Sequence, residues 1–283
     1  MSVIHLEFLS QSLRKITPVT IIIPNDLEPE DREGNPCYDR EMKTLYLLHG
    51  YTGNENDWMR GTTLETFCKK YNIAAVCPSC DNSFYTDRNA TGGKYGTYVG
   101  EELVQFTRKL FGFSERKEDT FIGGLSMGGF GAVRCGLKYH ETFGKITAFS
   151  AGFILYQIMG ELLEKGIITD DKLMNKAYKE NTFGAPETLR TSEVNPEYLV
   201  EHMLEEQIQI PDMYLTIGTS DFLLENNRSF HKFLKERNVP VTYKETEGTH
   251  NWDFWSKELE PAILWLLDEG KMEDSKAITL PHN

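Results

Sequence analysis

Apolar residues fall into two kinds of run along this chain. Short stretches rich in β-branched and aromatic residues recur at 4–8, 19–23, 44–48, 73–77, 120–122, 145–149, 213–217 and 241–245, with the length and composition of strands. From the third onward they alternate with segments whose apolar positions return every three or four residues. These predict helices over 63–71, 98–110, 127–139, 226–237 and 252–267. The alternation is the βαβ rhythm of an α/β fold, a mostly parallel sheet with helices on both faces. A short turn at Gln11-Ser12-Leu13-Arg14 joins the first two strands, which predicts an antiparallel pair at the sheet edge. The rhythm breaks over 152–210, a stretch rich in Met, Leu and Glu and helical in composition, which reads as an insertion between two strands. Coming just after the strand that follows the 127–139 helix, it would overhang the C-terminal edge of the sheet, where ligands bind in such folds, as a lid or as plain packing. No linker rich in Pro, Ser or Gly divides the chain, so 1–283 is expected to be a single domain, with a loosely held tail over 270–283.

Composition narrows the partners. Acidic residues outnumber basic ones by 43 to 30, a formal charge of −13, which disfavours nucleic acid and anionic membranes and leaves small neutral substrates open. The opening residues Met1 to Phe8 carry no basic, then apolar, targeting pattern, and no later run approaches the ~20 apolar residues of a membrane span. A cytoplasmic protein is expected, and a homo-oligomer remains open. Five scattered cysteines fit reduced thiols. Cys77-Pro78-Ser79-Cys80 has the spacing of half a zinc or redox motif, but no second Cys/His pair accompanies it, so no metal is expected.

The chemistry concentrates where one period gives way to the other. Gly124-Leu125-Ser126-Met127-Gly128-Gly129 follows a short strand-like run and opens a helical one. A serine there sits in a strained strand-to-helix turn with its hydroxyl projecting outward, and its neighbours two residues away must be small. A serine hydroxyl needs a base, and the base needs a carboxylate that fixes its tautomer and stabilises its charge. Downstream, Asp221 ends Leu215-Thr216-Ile217-Gly218-Thr219-Ser220-Asp221 and His250 lies in Glu247-Gly248-Thr249-His250-Asn251-Trp252, each just past a predicted strand. His140, His202 and His231 lack that placement, and Asp253 comes after the histidine. Acyl transfer also needs donors aimed at the developing oxyanion. The Met127 N–H, next after the serine, is one candidate. The Tyr51 N–H, in the loop of Tyr46-Leu47-Leu48-His49-Gly50-Tyr51-Thr52-Gly53, is the other. His49 precedes the serine at a strand end and is expected to shape this loop.

Leu48-His49-Gly50 with Gly53-Asn54 and Asp57-Trp58, then Gly124 to Gly129, then Gly218-Thr219-Ser220-Asp221-Phe222-Leu223, then Gly248-Thr249-His250-Asn251-Trp252, resemble the putative-esterase family of α/β-hydrolases. The likeness runs over nearly the whole chain and looks closest to the tributyrin esterase branch. The family also holds S-formylglutathione hydrolases, feruloyl and acetyl-xylan esterases and mycolyl acyltransferases. The resemblance implies an α/β-hydrolase fold and cofactor-free serine hydrolysis of carboxylic esters. It assigns Ser126, Asp221 and His250 as the triad and Tyr51 and Met127 as oxyanion donors.

The expected activity is therefore that of a carboxylesterase acting on small, short-chain acyl esters through an acyl-serine intermediate. Alternatives are an S-formylglutathione hydrolase, an acetyl or cinnamoyl (feruloyl) esterase on plant-derived saccharide esters, acyl transfer to a sugar hydroxyl, and a non-catalytic hydrolase-fold binding module. Aromatic residues of the loops, Trp58, Phe84, Tyr85, Tyr95, Phe153 and Phe222, are candidates to frame the substrate, although such residues also pack as core.

Overall fold

All eight predicted strands join one sheet. They are β1 (Ser2–Ser10), β2 (Lys15–Ile23), β3 (Lys43–Leu48), β4 (Ile73–Pro78), β5 (Thr120–Leu125), β6 (Lys145–Phe149), β7 (Asp212–Gly218) and β8 (Val241–Thr246), in the order β1-β2-β4-β3-β5-β6-β7-β8. The computed structural model describes residues 1–88, 91–159 and 175–268. The rest, including 160–174 of the predicted insertion and all of the predicted tail, lie outside that description. β1 and β2 form the expected antiparallel edge pair, and β2 runs antiparallel to β4. Every pairing from β4 across to β8 is parallel.

Side chains alternate between the two faces of the sheet, as strand geometry requires. Tyr46 and Leu48 of β3, with Ala74 and Val76 of β4, pack in one apolar cluster, while Leu45, Leu47, Ala75 and Cys77 pack in the other. The helices covering these faces are α1 (Asp57–Gly61), α2 (Leu64–Tyr71), α3 (Leu103–Phe111), α4 (Met127–Lys138), α5 (Leu155–Ile158), α6 (Lys176–Phe183), α7 (Pro196–Glu205), α8 (Leu224–Glu236) and α9 (Trp252–Leu266). Residues of α2 and α9 complete one cluster. Residues of α3, α4, α7 and α8 complete the other. The helix expected over 98–110 opens instead with a wider π turn, Tyr98–Glu102. The Glu102 carboxylate of that turn accepts from the Ser10 hydroxyl and the Gln11 and Ser12 amides at 2.7, 2.6 and 3.0 Å, tying the edge hairpin to the helix layer.

Parallel order puts the C-terminal ends of β3, β5, β6, β7 and β8 along one edge. Leu48, the last residue of β3, lies opposite Gly124 of β5, and Gly218 at the end of β7 lies opposite Thr246 at the end of β8. The four loops that carry the predicted chemistry therefore leave the sheet side by side. Between β6 and β7, the described part of the insertion divides in two. Leu199, Val200 and Met203 of α7 are buried core, whereas residues of α5 and α6 reach the loop edge. Among the described residues, no helix is long and apolar enough to cross a membrane.

Candidate active site

Ser126 stands between β5 and α4 with φ 54° and ψ −118°, a backbone state that L-residues seldom adopt. The turn is held from both sides: the Ser126 N–H donates to the Phe149 carbonyl (2.9 Å), and the Ser126 carbonyl accepts from Gly152 (2.8 Å) and Phe130 (3.1 Å). The need for small neighbours is quantitative. A Cβ on Gly124 would lie 2.3 Å from the Gly128 carbonyl oxygen, and one on Gly128 would lie 2.3 Å from that of Leu48. Backbone cannot yield that much, so both positions require glycine.

The loops after β7 and β8 bring the base and the acid. The His250 Nε2 lies 2.9 Å from Ser126 Oγ, and its Nδ1 lies 2.9 Å from Asp221 Oδ2. The Asp221 side chain is fully buried, and its other oxygen accepts the Leu223 N–H at 2.8 Å. The two loops are strapped together, with the Ser220 N–H donating to the Gly248 carbonyl (2.9 Å). Rings hold the imidazole in place: Phe222 lies 4.5 Å from it, centroid to centroid, and Trp255 stands edge-on at 5.0 Å. Trp255 is itself fixed by its indole N–H, which donates to the Ser150 hydroxyl at 3.1 Å. With a carboxylate on Nδ1, the Nε2 lone pair faces the serine, and the chain of hydrogen bonds can draw off the hydroxyl proton.

A cavity of about 400 Å³ opens over Ser126 and His250. Both predicted oxyanion donors lie in its wall, Tyr51 from the loop after β3 and Met127 at the start of α4. The α4 ladder begins with Phe130 donating to Ser126, so the Met127 amide has no acceptor within its helix. His49 shapes the loop as expected. Its Nε2 accepts the Cys80 N–H (2.9 Å) and its Nδ1–H donates to the Gly50 carbonyl (2.7 Å), while the Tyr85 hydroxyl donates to the His49 carbonyl (2.9 Å). Burial lowers the His49 pKa from its ordinary value and keeps the ring neutral, outweighing the Gly50 hydrogen bond.

The aromatic candidates divide. Phe222, 44% exposed, and Phe84 line the cavity. Trp58, Tyr95 and Phe153 do not. Trp58 is wholly buried beneath the site, with its indole N–H on the Leu48 carbonyl (3.0 Å) and its ring edge-on to Phe149 and Trp252. Tyr95 is buried with its phenol on the Asp81 carboxylate, and Phe153 packs 4.3 Å from Phe230. Tyr85 is likewise buried, committed to His49. In each case the side chain is committed to a partner supplied by another element, away from the cavity. Conversely, Asp57, Ile154, Gln157, Lys179 and Trp252 line the cavity without having been singled out as site residues. Two of them carried a signal in the sequence: Asp57 in the Asp57-Trp58 pair of the family motifs, and Trp252 as the aromatic residue opening the helix after His250. Cys77 and Cys80 are fully buried free thiols, the former pushed by burial up to about 12. Among the described residues, no group of three or more His, Cys, Asp or Glu is placed to hold a metal ion.

A mostly parallel sheet with a serine at a strained strand-to-helix turn, a histidine and a buried aspartate at neighbouring strand ends, defines an α/β-hydrolase of the serine class. Residues 10–266 match the family model described as "Putative esterase", and the chain belongs to that family. It is 38% identical over 266 residues to an acetyl esterase of Caldicellulosiruptor saccharolyticus, spanning 94% of this chain and 98% of that protein. Among solved structures it is similar to FphF, a fluorophosphonate-binding serine hydrolase of Staphylococcus aureus (28% identity, TM-score 0.79). It is also similar to the S-formylglutathione hydrolase FrmB of the same organism (28% identity, TM-score 0.77). Each match covers 94% of this chain and 98% of the other. The protein is accordingly a carboxylic ester hydrolase.

Proposed function

We propose that this protein hydrolyses short-chain acyl esters with Ser126 as nucleophile, His250 as general acid and base, and Asp221 as the carboxylate that orients and stabilises the imidazole. The observation that carries the reading is His250 bridging Ser126 Oγ and Asp221 Oδ2 at 2.9 Å on each side. The Ser126 oxygen attacks the acyl carbonyl as His250 Nε2 takes its proton. The N–H groups of Tyr51 and Met127 receive the oxyanion, and the imidazolium then protonates the departing alkoxide. Water repeats the sequence on the acyl-serine. Every role falls to a protein group, so no cofactor is called for.

The short-chain preference is supported by the similarity to an acetyl esterase. A long apolar groove would gain about 0.8 kcal/mol per buried CH₂ and favour octanoyl over acetyl esters by orders of magnitude. With p-nitrophenyl esters, kcat/KM should peak between acetyl and butyryl and fall beyond. A profile still climbing at octanoyl would refute the short-chain reading and make the insertion a lipase-like lid. Labelling of Ser126 by a fluorophosphonate, lost in Ser126→Ala, tests the nucleophile directly. A second reading, S-formylglutathione hydrolysis, is favoured by Lys179 in the cavity wall, a cation suited to a carboxylate on the leaving group. Turnover of S-formylglutathione exceeding that of p-nitrophenyl acetate would select it.

A further inference from the structure

We propose that Asn82 is the positioning residue of the oxyanion site: its side-chain oxygen pins the backbone that carries the Tyr51 N–H. The inference rests on the proposed role of that N–H as an oxyanion donor. Gly50 to Gly53 form a turn closed by the Gly53 N–H on the Gly50 carbonyl (3.1 Å), with Tyr51 and Thr52 at its centre. Thr52 has φ +66°. A turn with positive φ at that position favours glycine or asparagine, and a β-branched residue there is strained. Strain of this kind persists only where surrounding groups over-determine the conformation.

Asn82 supplies that constraint. Its Oδ1 accepts the Thr52 N–H at 2.7 Å, which fixes the plane of the Tyr51–Thr52 peptide. The neighbouring peptide, Gly50–Tyr51, carries the Tyr51 N–H, and Tyr51 lines the cavity. Asn82 is anchored in turn, because its own carbonyl accepts from the Tyr178 hydroxyl (2.8 Å) and from the Arg88 guanidinium. Tyr178 belongs to α6, the helix whose Lys179 lines the cavity, and its ring stands edge-on to Tyr51 at 6.1 Å. The loop, Asn82 and α6 thus form one connected unit beside Ser126. Without the Asn82 oxygen, Thr52 relaxes toward negative φ, the Tyr51–Thr52 peptide rotates and the Tyr51 N–H leaves its aim.

The test compares Asn82→Ala, Asn82→Asp and Asn82→Ala with Thr52→Gly in the full chain, using p-nitrophenyl acetate with active-site titration. A trifluoromethyl ketone, which forms a serine-bound oxyanion, serves as the transition-state probe. Deleting an oxyanion donor costs about 10²–10³ in kcat, so displacing one should cost about 10- to 100-fold in Asn82→Ala. KM and melting temperature should hardly change, and ketone affinity should fall by the same factor as kcat. Asn82→Asp keeps the acceptor and should stay within about threefold of the parent, while Thr52→Gly removes the strain and should restore most of the rate lost by Asn82→Ala. A parental kcat in Asn82→Ala, a loss without matching ketone weakening, failed rescue by Thr52→Gly, or an Asn82→Asp as slow as Asn82→Ala would each overturn the inference. If Ser126→Ala is inactive while Asn82→Ala is normal, this inference fails alone; full turnover by folded Ser126→Ala removes the proposed mechanism and this inference together.

Discussion

Replacing Asp221 by asparagine changes one atom and should nearly abolish turnover, and the structure says why. The two carboxylate oxygens have separate duties: Oδ2 meets His250 Nδ1 at 2.9 Å and Oδ1 accepts the Leu223 N–H at 2.8 Å, in a side chain with no solvent exposure. In one orientation of the asparagine, the amide NH₂ faces His250. It then donates to Nδ1, the ring proton moves to Nε2, and His250 can no longer accept the serine proton. In the other, the correct tautomer survives but the NH₂ confronts the Leu223 N–H, leaving a buried donor unsatisfied at a cost of about 1–3 kcal/mol. At 1.36 kcal/mol per factor of ten, the productive orientation is depleted by about 5- to 150-fold. The imidazolium formed in the transition state also loses a charge-assisted hydrogen bond of about 1.5–3 kcal/mol, a further 10- to 150-fold. The combined loss in kcat is about 10² to 10⁴. Steady-state hydrolysis of p-nitrophenyl acetate, normalised to active sites and accompanied by a thermal melt, measures it. Asp253, exposed in the first turn of α9, supplies the control, and Asp253→Asn should cost little. A loss below tenfold for Asp221→Asn, or a larger one for Asp253→Asn, would refute the assignment.

Ser126→Ala and His250→Ala should each lower kcat by about 10⁴ to 10⁶ and the double mutant little more, because nucleophile and base act as one unit; additive losses would break the pairing. Trp58→Ala should destabilise the fold by about 3–5 kcal/mol with KM little changed, since the indole is core; urea unfolding and kinetics together check this, and a raised KM at parental stability would return Trp58 to the substrate site. His49 links stability to pH: burial lowers its folded pKa, so the unfolded chain binds a proton that the folded one refuses. Its contribution is therefore complete above about 6.5 and lost as pH falls from there toward the lowered folded value. Urea midpoints between pH 5 and 8 should drop on the acid side of this window and flatten in His49→Gln, and an unchanged slope in the variant would remove His49 as the cause.

Much of this protein is local in origin. Each strand is a short apolar run, and the longer covering helices between strands repeat at 3.6, so the α/β class and the eight strands follow from periodicity alone. The three polar residues of the site were legible for the same reason: Ser126, Asp221 and His250 each sit a few residues past a strand end, with glycines where the chain must turn sharply or pack closely. Strand order is different. That β4 lies between β2 and β3, and that β5 lies beside β3 so that the Tyr51 loop reaches Ser126, depends on pairings between segments far apart in sequence, which no local pattern records. The same limit explains the aromatic residues. Trp58, Tyr95, Phe153 and Phe222 look alike as loop aromatics, yet the first three found partners in Phe149, Asp81 and Phe230, while Phe222 remained at the cavity mouth against His250. Lys179 acquired its place in the cavity wall, and Asn82 its bond from Tyr178, only when α6 docked against the loops at the sheet edge. Backbone and hydrophobic periodicity act within a few residues, whereas the walls of the cavity are made by whichever side chains remain facing it once the core has packed.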